Sequence, residues 1–188
     1  MIKVRCSWVG EDDAYIKYHD TEWGVPTHND RVLFEFLILE GAQAGLSWLT
    51  ILKRREGYRR VFHNFDAVKV ASMTEKDLLM ALQDPGIIRN KLKVRAAVKN
   101  AQVFLDIQKE FGTFSKYIWG FAGNNPIINN WGVLPDVPST SDISDEISKD
   151  LKIRGMSFVG STIIYAHLQA TGLVNDHTVG CFRHSQLS

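Results

Sequence analysis

Cysteine, proline and net charge are all scarce in this chain: two cysteines, five prolines and a formal charge of +1 over 188 residues. Each scarcity excludes something. Two cysteines, Cys6 and Cys181 at opposite ends, are too few for the disulfide framework of a small secreted domain. No apolar run reaches the roughly 18–20 residues needed to cross a bilayer. The opening "MIKVRCSWVGEDD" has no long apolar segment behind its basic residues, which argues against a secretory signal and makes the reducing cytoplasm the expected compartment. A near-neutral total neither marks nor excludes a nucleic-acid binder, because local patches matter more than sums. Alternating strand patterns, repeats and low-complexity tracts are nearly absent too. At 45% hydrophobic and 23% charged, the chain nevertheless has the material for a real core.

What is present is helical periodicity. Asn29 or Asp30 is placed to cap a helix with Leu33, Phe36, Leu37, Glu40 and Ala44 on one face. Ser47 is placed to cap a second, running through Leu52 towards Phe62. Thr74 with Asp77 reads as a capping box opening a helix to about Leu82. "DPGIIRN" makes a tight turn, and a long helix is expected from about Arg89 to Phe111, with a short one over 113–121. "GNNPIINNWGVLPDVPSTS" is turn-rich and suits a joint between lobes. Ser141 or Asp142 starts a helix that stops at Gly155, and a last helix runs from near Phe158 to Gly172. The expectation is an all-α chain of two lobes around a cleft: residues 30–121 in one, and the segments 1–29 and 122–188 in the other.

Three local patterns carry chemistry. Cys6 and His19 lie near one end; His177 and Cys181, spaced H-x-x-x-C, lie near the other. On a helical turn the second pair shares a side. Two thiolates and two imidazoles complete a tetrahedral zinc set with no open position. Unrelated cysteines and core histidines are the plainer alternative. The turn at Pro85–Gly86, followed by Arg89 and Lys91, suits backbone phosphate as well as a simple helix connection. Two basic patches, Lys53–Arg60 and Arg89–Lys99, read equally well as solvated faces. Third, Glu40 shares its apolar face with Leu33, Phe36 and Leu37, and burying a carboxylate is costly unless something pairs with it. Either an internal partner meets it, or it lines a pocket and awaits a donor-bearing ligand. Trp8, Tyr15, Tyr18, Trp23 and Trp48 lie close enough in sequence to wall such a pocket for a flat cationic ring.

"CSWVGEDDAYIKYHDTEWGVP", "LEGAQAGLSWLTILKRRE", "DPGIIRNKLKV", "FVGSTIIYAHLQATGLVNDH" and the closing H-x-x-x-C, in that order and over nearly the whole chain, resemble the 3-methyladenine DNA glycosylase I family. The resemblance implies an all-α helix–hairpin–helix glycosylase with a structural zinc joining its termini through Cys6, His19, His177 and Cys181. It implies that Glu40 hydrogen-bonds the methylated base and Trp48 stacks on it, with Tyr15, Tyr18, Trp8 and Trp23 around them. Gly45 and Leu46 would meet the DNA, Leu46 as a wedge in the gap left by the flipped nucleotide. Pro85, Gly86, Arg89 and Lys91 would hold phosphates.

The wider superfamily often has a second hairpin glycine, a lysine just after it and a later aspartate. Here Ile88, Asn90 and Asp106 stand at or near those places, which argues against a Schiff base and strand cleavage. The implied activity is hydrolytic excision of N3-methyladenine from alkylated duplex DNA, leaving an abasic site. The expected partners are damaged DNA and the free base, with no membrane, and the expected state is a monomer. A non-catalytic zinc-stabilised DNA-binding domain shares the hairpin and the metal set but needs no base pocket. A zinc hydrolase would need an open metal position.

Overall fold

The structure, a computed structural model, describes residues 3–188. Its frame is helical, as the periodicity predicts. In chain order the helices are α1 (Asp13–Thr21), α2 (Asp30–Gln43), α3 (Trp48–Leu52), α4 (Arg55–Val61), α5 (Ala67–Ala71), α6 (Glu75–Ala81), α7 (Lys91–Phe111), α8 (Phe114–Gly120), α9 (Asp142–Ile153) and α10 (Ser161–Ala170). No described helix is long and apolar enough to cross a membrane.

Helix α2 lies at the centre. Asn29 caps it, accepting from the N–H groups of Arg31 and Val32. Every residue from Leu33 to Ala42 is buried, so it is enclosed all round rather than on one stripe. This explains Glu35, which enclosure would otherwise strand. Its Oε1 accepts from Arg55 Nε at 2.7 Å and Arg59 Nε at 2.9 Å. Long α7 buries Val94, Ala97, Val98, Ala101, Phe104 and Ile107, a helical three–four spacing. Asn100 fastens it to the segment before α10 by two bonds to the Ser157 backbone, 2.8 and 2.9 Å. One cluster of buried side chains joins α2, α7, α8, α9 and α10, from Leu33 through Trp119 to Leu168.

Several boundaries depart from the sequence reading. The helix capped by Ser47 does not run unbroken to Phe62: it ends at Leu52, and α4 begins at Arg55. The break lets Gly57 of α4 meet the turn at Gly86 and lets Arg55 face α2. Helix α7 begins at Lys91 behind an Asn90 cap rather than at Arg89, and α10 begins at Ser161 rather than near Phe158. Phe158 itself has φ of 56°, a left-handed conformation that cannot continue a helix. The capping box of Thr74 and Asp77 forms as expected. The turn-rich stretch holds one small element that alternation did not signal: β1 (Ile127–Ile128) pairs in parallel with β2 (Val174–Asn175). Two residues are too few to show a period of two.

Candidate active site

Four chain segments converge on one cavity of about 250 Å³, lined among others by Trp8, Tyr15, Tyr18, Trp23, Glu40 and Trp48. That volume is slightly below the roughly 300–1,000 Å³ of drug-sized ligand pockets and suits a single heterocycle. All six residues expected around a base are therefore together. Trp8 packs edge-on against Tyr15 at 5.4 Å and against Trp23 at 5.0 Å. Trp48 is backed by Tyr18 at 5.5 Å and lies nearly parallel to Phe36 at 6.3 Å.

Glu40 resolves the choice its sequence position left open. It is 4% exposed, and among the described residues no donor or cation reaches its carboxyl. Burial alone pushes the acid up to about 8. The internal ion pair is made instead by Glu35, on a different face of α2, which holds the two arginines. Burial first, and then Glu40, push the Tyr18 phenol well above its usual range. The cavity thus combines π faces with a carboxyl that lacks a counter-charge.

The four expected metal ligands also meet. Cys6, His19, His177 and Cys181 are all buried, with ligand atoms within 4.8 Å of one another. Cys181 Sγ lies 3.4 Å from His19 Nε2 and 3.5 Å from His177 Nδ1; Cys6 Sγ lies 3.5 Å from His177 Nδ1. Tetrahedral zinc, with bonds of about 2.3 Å to sulfur and about 2.0–2.1 Å to nitrogen, separates sulfur from nitrogen by about 3.5 Å. The donor set therefore fits that ion. The outer partners fit as well: His19 Nδ1 faces Asp20 Oδ1 at 2.9 Å, Arg5 grips Asp20 at 2.9 and 2.8 Å, and His177 Nε2 meets the Trp23 carbonyl at 3.1 Å. Burial pushes the Cys6 thiol up, and a bound cation would favour its thiolate. One expectation needs correcting. His177 and Cys181 do not share a helical turn; they sit in an irregular loop after β2, closed by the Cys181 N–H donating to the Thr178 carbonyl at 2.8 Å.

Between Glu40 and Trp48 the chain leaves α2 through Gly45, whose φ is +78° with open space where a Cβ would stand. This turn presents Leu46 with 40% exposure. Lys93, which the sequence offers only as one member of the Arg89–Lys99 basic patch, holds the turn. Its Nζ donates to the carbonyls of Ala42 at 2.8 Å and Ala44 at 2.6 Å, occupying acceptors at the end of α2.

The Pro85–Gly86 turn joins α6 to α7. A Cβ on Gly57 would lie 2.1 Å from the Gly86 carbonyl, so α4 and the turn touch backbone to backbone. Two of the turn's N–H groups are already bonded within the protein: Gly86 donates to Asp84 Oδ1 at 2.7 Å and Ile88 to the Tyr58 hydroxyl at 3.2 Å. The first is an Asx turn, in which aspartate folds back on its own backbone. Arg60 neutralises Asp84. Exposed Arg89 and Lys91 form no ion pair among the described residues. The Lys53–Arg60 patch is otherwise largely paired: Lys53 pairs with Asp12, Arg55 with Glu22 and Glu35, and Arg59 with Glu35 and Glu56, while Arg54 donates to the Thr50 carbonyl at 3.5 Å.

Gln43, Leu134, Val137, Gln169 and Asp176 also line the cavity, and none of them stood out in the sequence. Leu134 and Val137 come from the turn-rich segment, Gln43 and Gln169 from the last turns of α2 and α10, and Asp176 from the loop after β2. Only the polar "ND" ahead of His177, in an otherwise apolar stretch, offered a signal.

The sequence and fold have counterparts among known proteins. The family model described as methyladenine glycosylase matches residues 8–184. DNA-3-methyladenine glycosylase 1 of Escherichia coli strain K12 is 49% identical over 177 residues, covering 94% of this chain and 95% of that protein. A crystal structure of a 3-methyladenine DNA glycosylase I superposes with a TM-score of 0.94 at 48% identity, covering 96% of this chain and all of that one. Another, a variant enzyme in complex with 3-methyladenine, superposes at 0.93 with 36% identity, covering 96% and 97%. With a family match spanning nearly the whole chain and half of its residues shared with a curated member, this chain belongs to the methyladenine glycosylase family.

Proposed function

We propose that this glycosylase excises N3-methyladenine from alkylated duplex DNA by drawing the flipped nucleotide into the cavity beside Glu40 and hydrolysing its bond to the sugar. The observation that carries the reading is Glu40, an enclosed carboxyl without an internal partner, opening onto an aromatic cavity of about 250 Å³.

Methylation at N3 puts a positive charge on the base. When its bond to C1′ breaks, the bonding electrons neutralise that charge and the base leaves uncharged. A strong general acid is therefore unnecessary, and the site's task is to select a cation and position it. Glu40, kept neutral by burial near pH 7, becomes the counter-ion as the cationic base displaces its proton. Trp48 offers a π face, and Tyr15, Tyr18, Trp8 and Trp23 fill the remaining walls. The oxygen of the attacking water bonds to C1′ and its proton passes to solvent. Extruding the nucleotide costs a few kcal/mol of unstacking, offset by Leu46 entering the vacated stack. Gly45 permits the close backbone approach. Pro85–Gly86, with Arg89 and Lys91, grips phosphates beside the lesion as a helix–hairpin–helix does, and these contacts carry no sequence information. Asn90 is the N-cap of α7 and Lys93 is tied to two carbonyls, so neither serves as a Schiff-base amine, and no strand cleavage follows.

Cys6, His19, His177 and Cys181 would hold a zinc ion. When bound it supplies a four-way crosslink between the termini, with no position left for water. Trp23 packs 4.5 Å from His177 and Trp8 packs 5.4 Å from His19, so that crosslink also steadies two cavity walls.

The test is to incubate the protein with methylated duplex DNA and identify the released base by mass. Release of 3-methyladenine, with strands intact until alkali is added, is the expected result. No released base would leave a DNA-binding domain, and breaks without alkali would overturn the monofunctional assignment.

A further inference from the structure

Asp176 is a second buried carboxylate in the cavity wall, 2% exposed. Four neutral donors converge on it. Asn129 Nδ2 and Trp131 Nε1 each lie 2.7 Å from Oδ1; the Tyr165 hydroxyl at 2.6 Å and Gln169 Nε2 at 2.7 Å bond Oδ2. Two carboxylate oxygens offer about four lone-pair positions, and all are filled. Burial first, and then the bond to Asp176, raise the Tyr165 phenol, so its hydroxyl stays a donor. Among the described residues no lysine, arginine or histidine pairs with Asp176. A zinc ion held by two thiolates and two neutral imidazoles would carry no net charge, so it would not supply the missing cation either. A buried anion is expensive without a counter-charge, and this one borders a cavity.

The geometry points to Asp176 as a fixed negative charge that selects the cationic form of the base, a positioning residue that acts through the field in the cavity rather than by touching the ligand. This rests on the reading of the cavity as a site for a methylated purine. The two carboxyls divide the work. Glu40 has free acceptor positions and meets the base directly. Asp176 has none left, and its charge is already oriented before any ligand arrives, so it costs no reorganisation. It also sets the Gln169 amide: with Nε2 held by Asp176, Oε1 remains as an acceptor, adding to a wall that favours donors and positive charge.

The test compares two ligands of the same shape: 3,9-dimethyladeninium, a permanent cation with a methyl in place of the sugar, and its neutral isostere with carbon replacing the methylated ring nitrogen. Affinities are measured by calorimetry for the zinc-loaded wild type, for Asp176→Asn, and for the exchange variant Asp176→Asn with Asn129→Asp. The exchange keeps a donor–acceptor pair at that contact and moves the charge out of the lining, so it reads the charge even where the single variant fails to fold. The preference for the cation should fall by on the order of tenfold, while affinity for the neutral isostere changes by less than about threefold. Tyr165→Phe, which removes a donor and leaves the charge, should keep the preference. Equal losses for both ligands, or an unchanged preference in the exchange variant, would assign Asp176 to loop structure alone and overturn the inference. Failure of the wild type to bind either ligand would instead remove the underlying reading of the cavity.

Discussion

Glu40→Gln should make the ligand-free protein more stable while impairing its work. A carboxyl titrating at 4.5 in the unfolded chain and at about 8 in the fold binds more protons folded than unfolded between those values. By linkage, stability then falls as pH rises through that window. The penalty grows by about 1.4 kcal/mol per pH step, reaching about 3 kcal/mol at pH 7 and levelling near 5 above pH 8. Glutamine has nearly the same shape and no charge to desolvate. The variant should therefore match the wild type near pH 4.5 and gain on it with rising pH. In a chain of this size, about 3 kcal/mol corresponds to roughly 6–12 °C in Tm at pH 7. Urea unfolding of both proteins from pH 4.5 to 9 measures the divergence, and single-turnover excision on methylated duplex measures the loss of function. Calorimetry of cation binding near pH 7, in buffers of different ionisation enthalpy, should show release of most of one proton by the wild type and none by the variant. Parallel stability curves would refute the claim that Glu40 is enclosed without a partner, and unchanged excision would refute its role with the base.

Leu46→Ala removes a side chain already 40% exposed, so stability should move by no more than about 0.5 kcal/mol. Excision from duplex should drop at least about tenfold while binding of free 3-methyladenine holds; equal losses in the two assays would deny the wedge. Gly57→Ala drives a methyl into the Gly86 carbonyl and should cost about 1–3 kcal/mol, with weaker duplex binding and unchanged free-base binding as the check on the turn's role. Cys181→Ser leaves three ligands of the metal set. It should lose zinc in atomic-absorption measurements, lower Tm, and alter tryptophan fluorescence, because Trp8 and Trp23 pack on His19 and His177; full zinc retention with unchanged fluorescence would count against the crosslink.

Local signals were legible where local chemistry decides the outcome. The Asn29 cap, the Thr74–Asp77 box, the Ser141 cap and the stop at Gly155, with φ of 104°, all follow from side chains bonding nearby backbone or from glycine's freedom. Glu40 could be singled out because a carboxyl at helical spacing from Leu33, Phe36 and Leu37 has few explanations. Composition could not separate Glu40 from Glu35, both acids on the same buried helix. Their difference lies in Arg55 and Arg59, twenty and twenty-four positions away and on another helix. The same distance in sequence hid the fate of most of the Lys53–Arg60 patch, which reads as an exposed basic face until Asp12, Glu22, Glu35 and Asp84 fold onto Lys53, Arg55, Arg59 and Arg60.

Asp176 escaped notice for a related reason. Its donors come from Asn129, Trp131, Tyr165 and Gln169, and no spacing rule joins a turn-rich segment to a helix so much later in the chain. The short β1–β2 pairing brings the first two of these donors to the residue after β2, and the N–H of Val179 continues the contact by bonding the Trp131 carbonyl at 3.0 Å. That pairing also delivers His177, one position on, to the Cys6–His19 end of the chain. A two-residue strand pair thus places a pocket carboxylate and a candidate metal ligand together. The least regular stretch of the sequence is for that reason the one on which the site's assembly depends: a disrupted pairing at Ile127 and Val174 would separate Asp176 from two of its four donors and pull His177 from its partners at once.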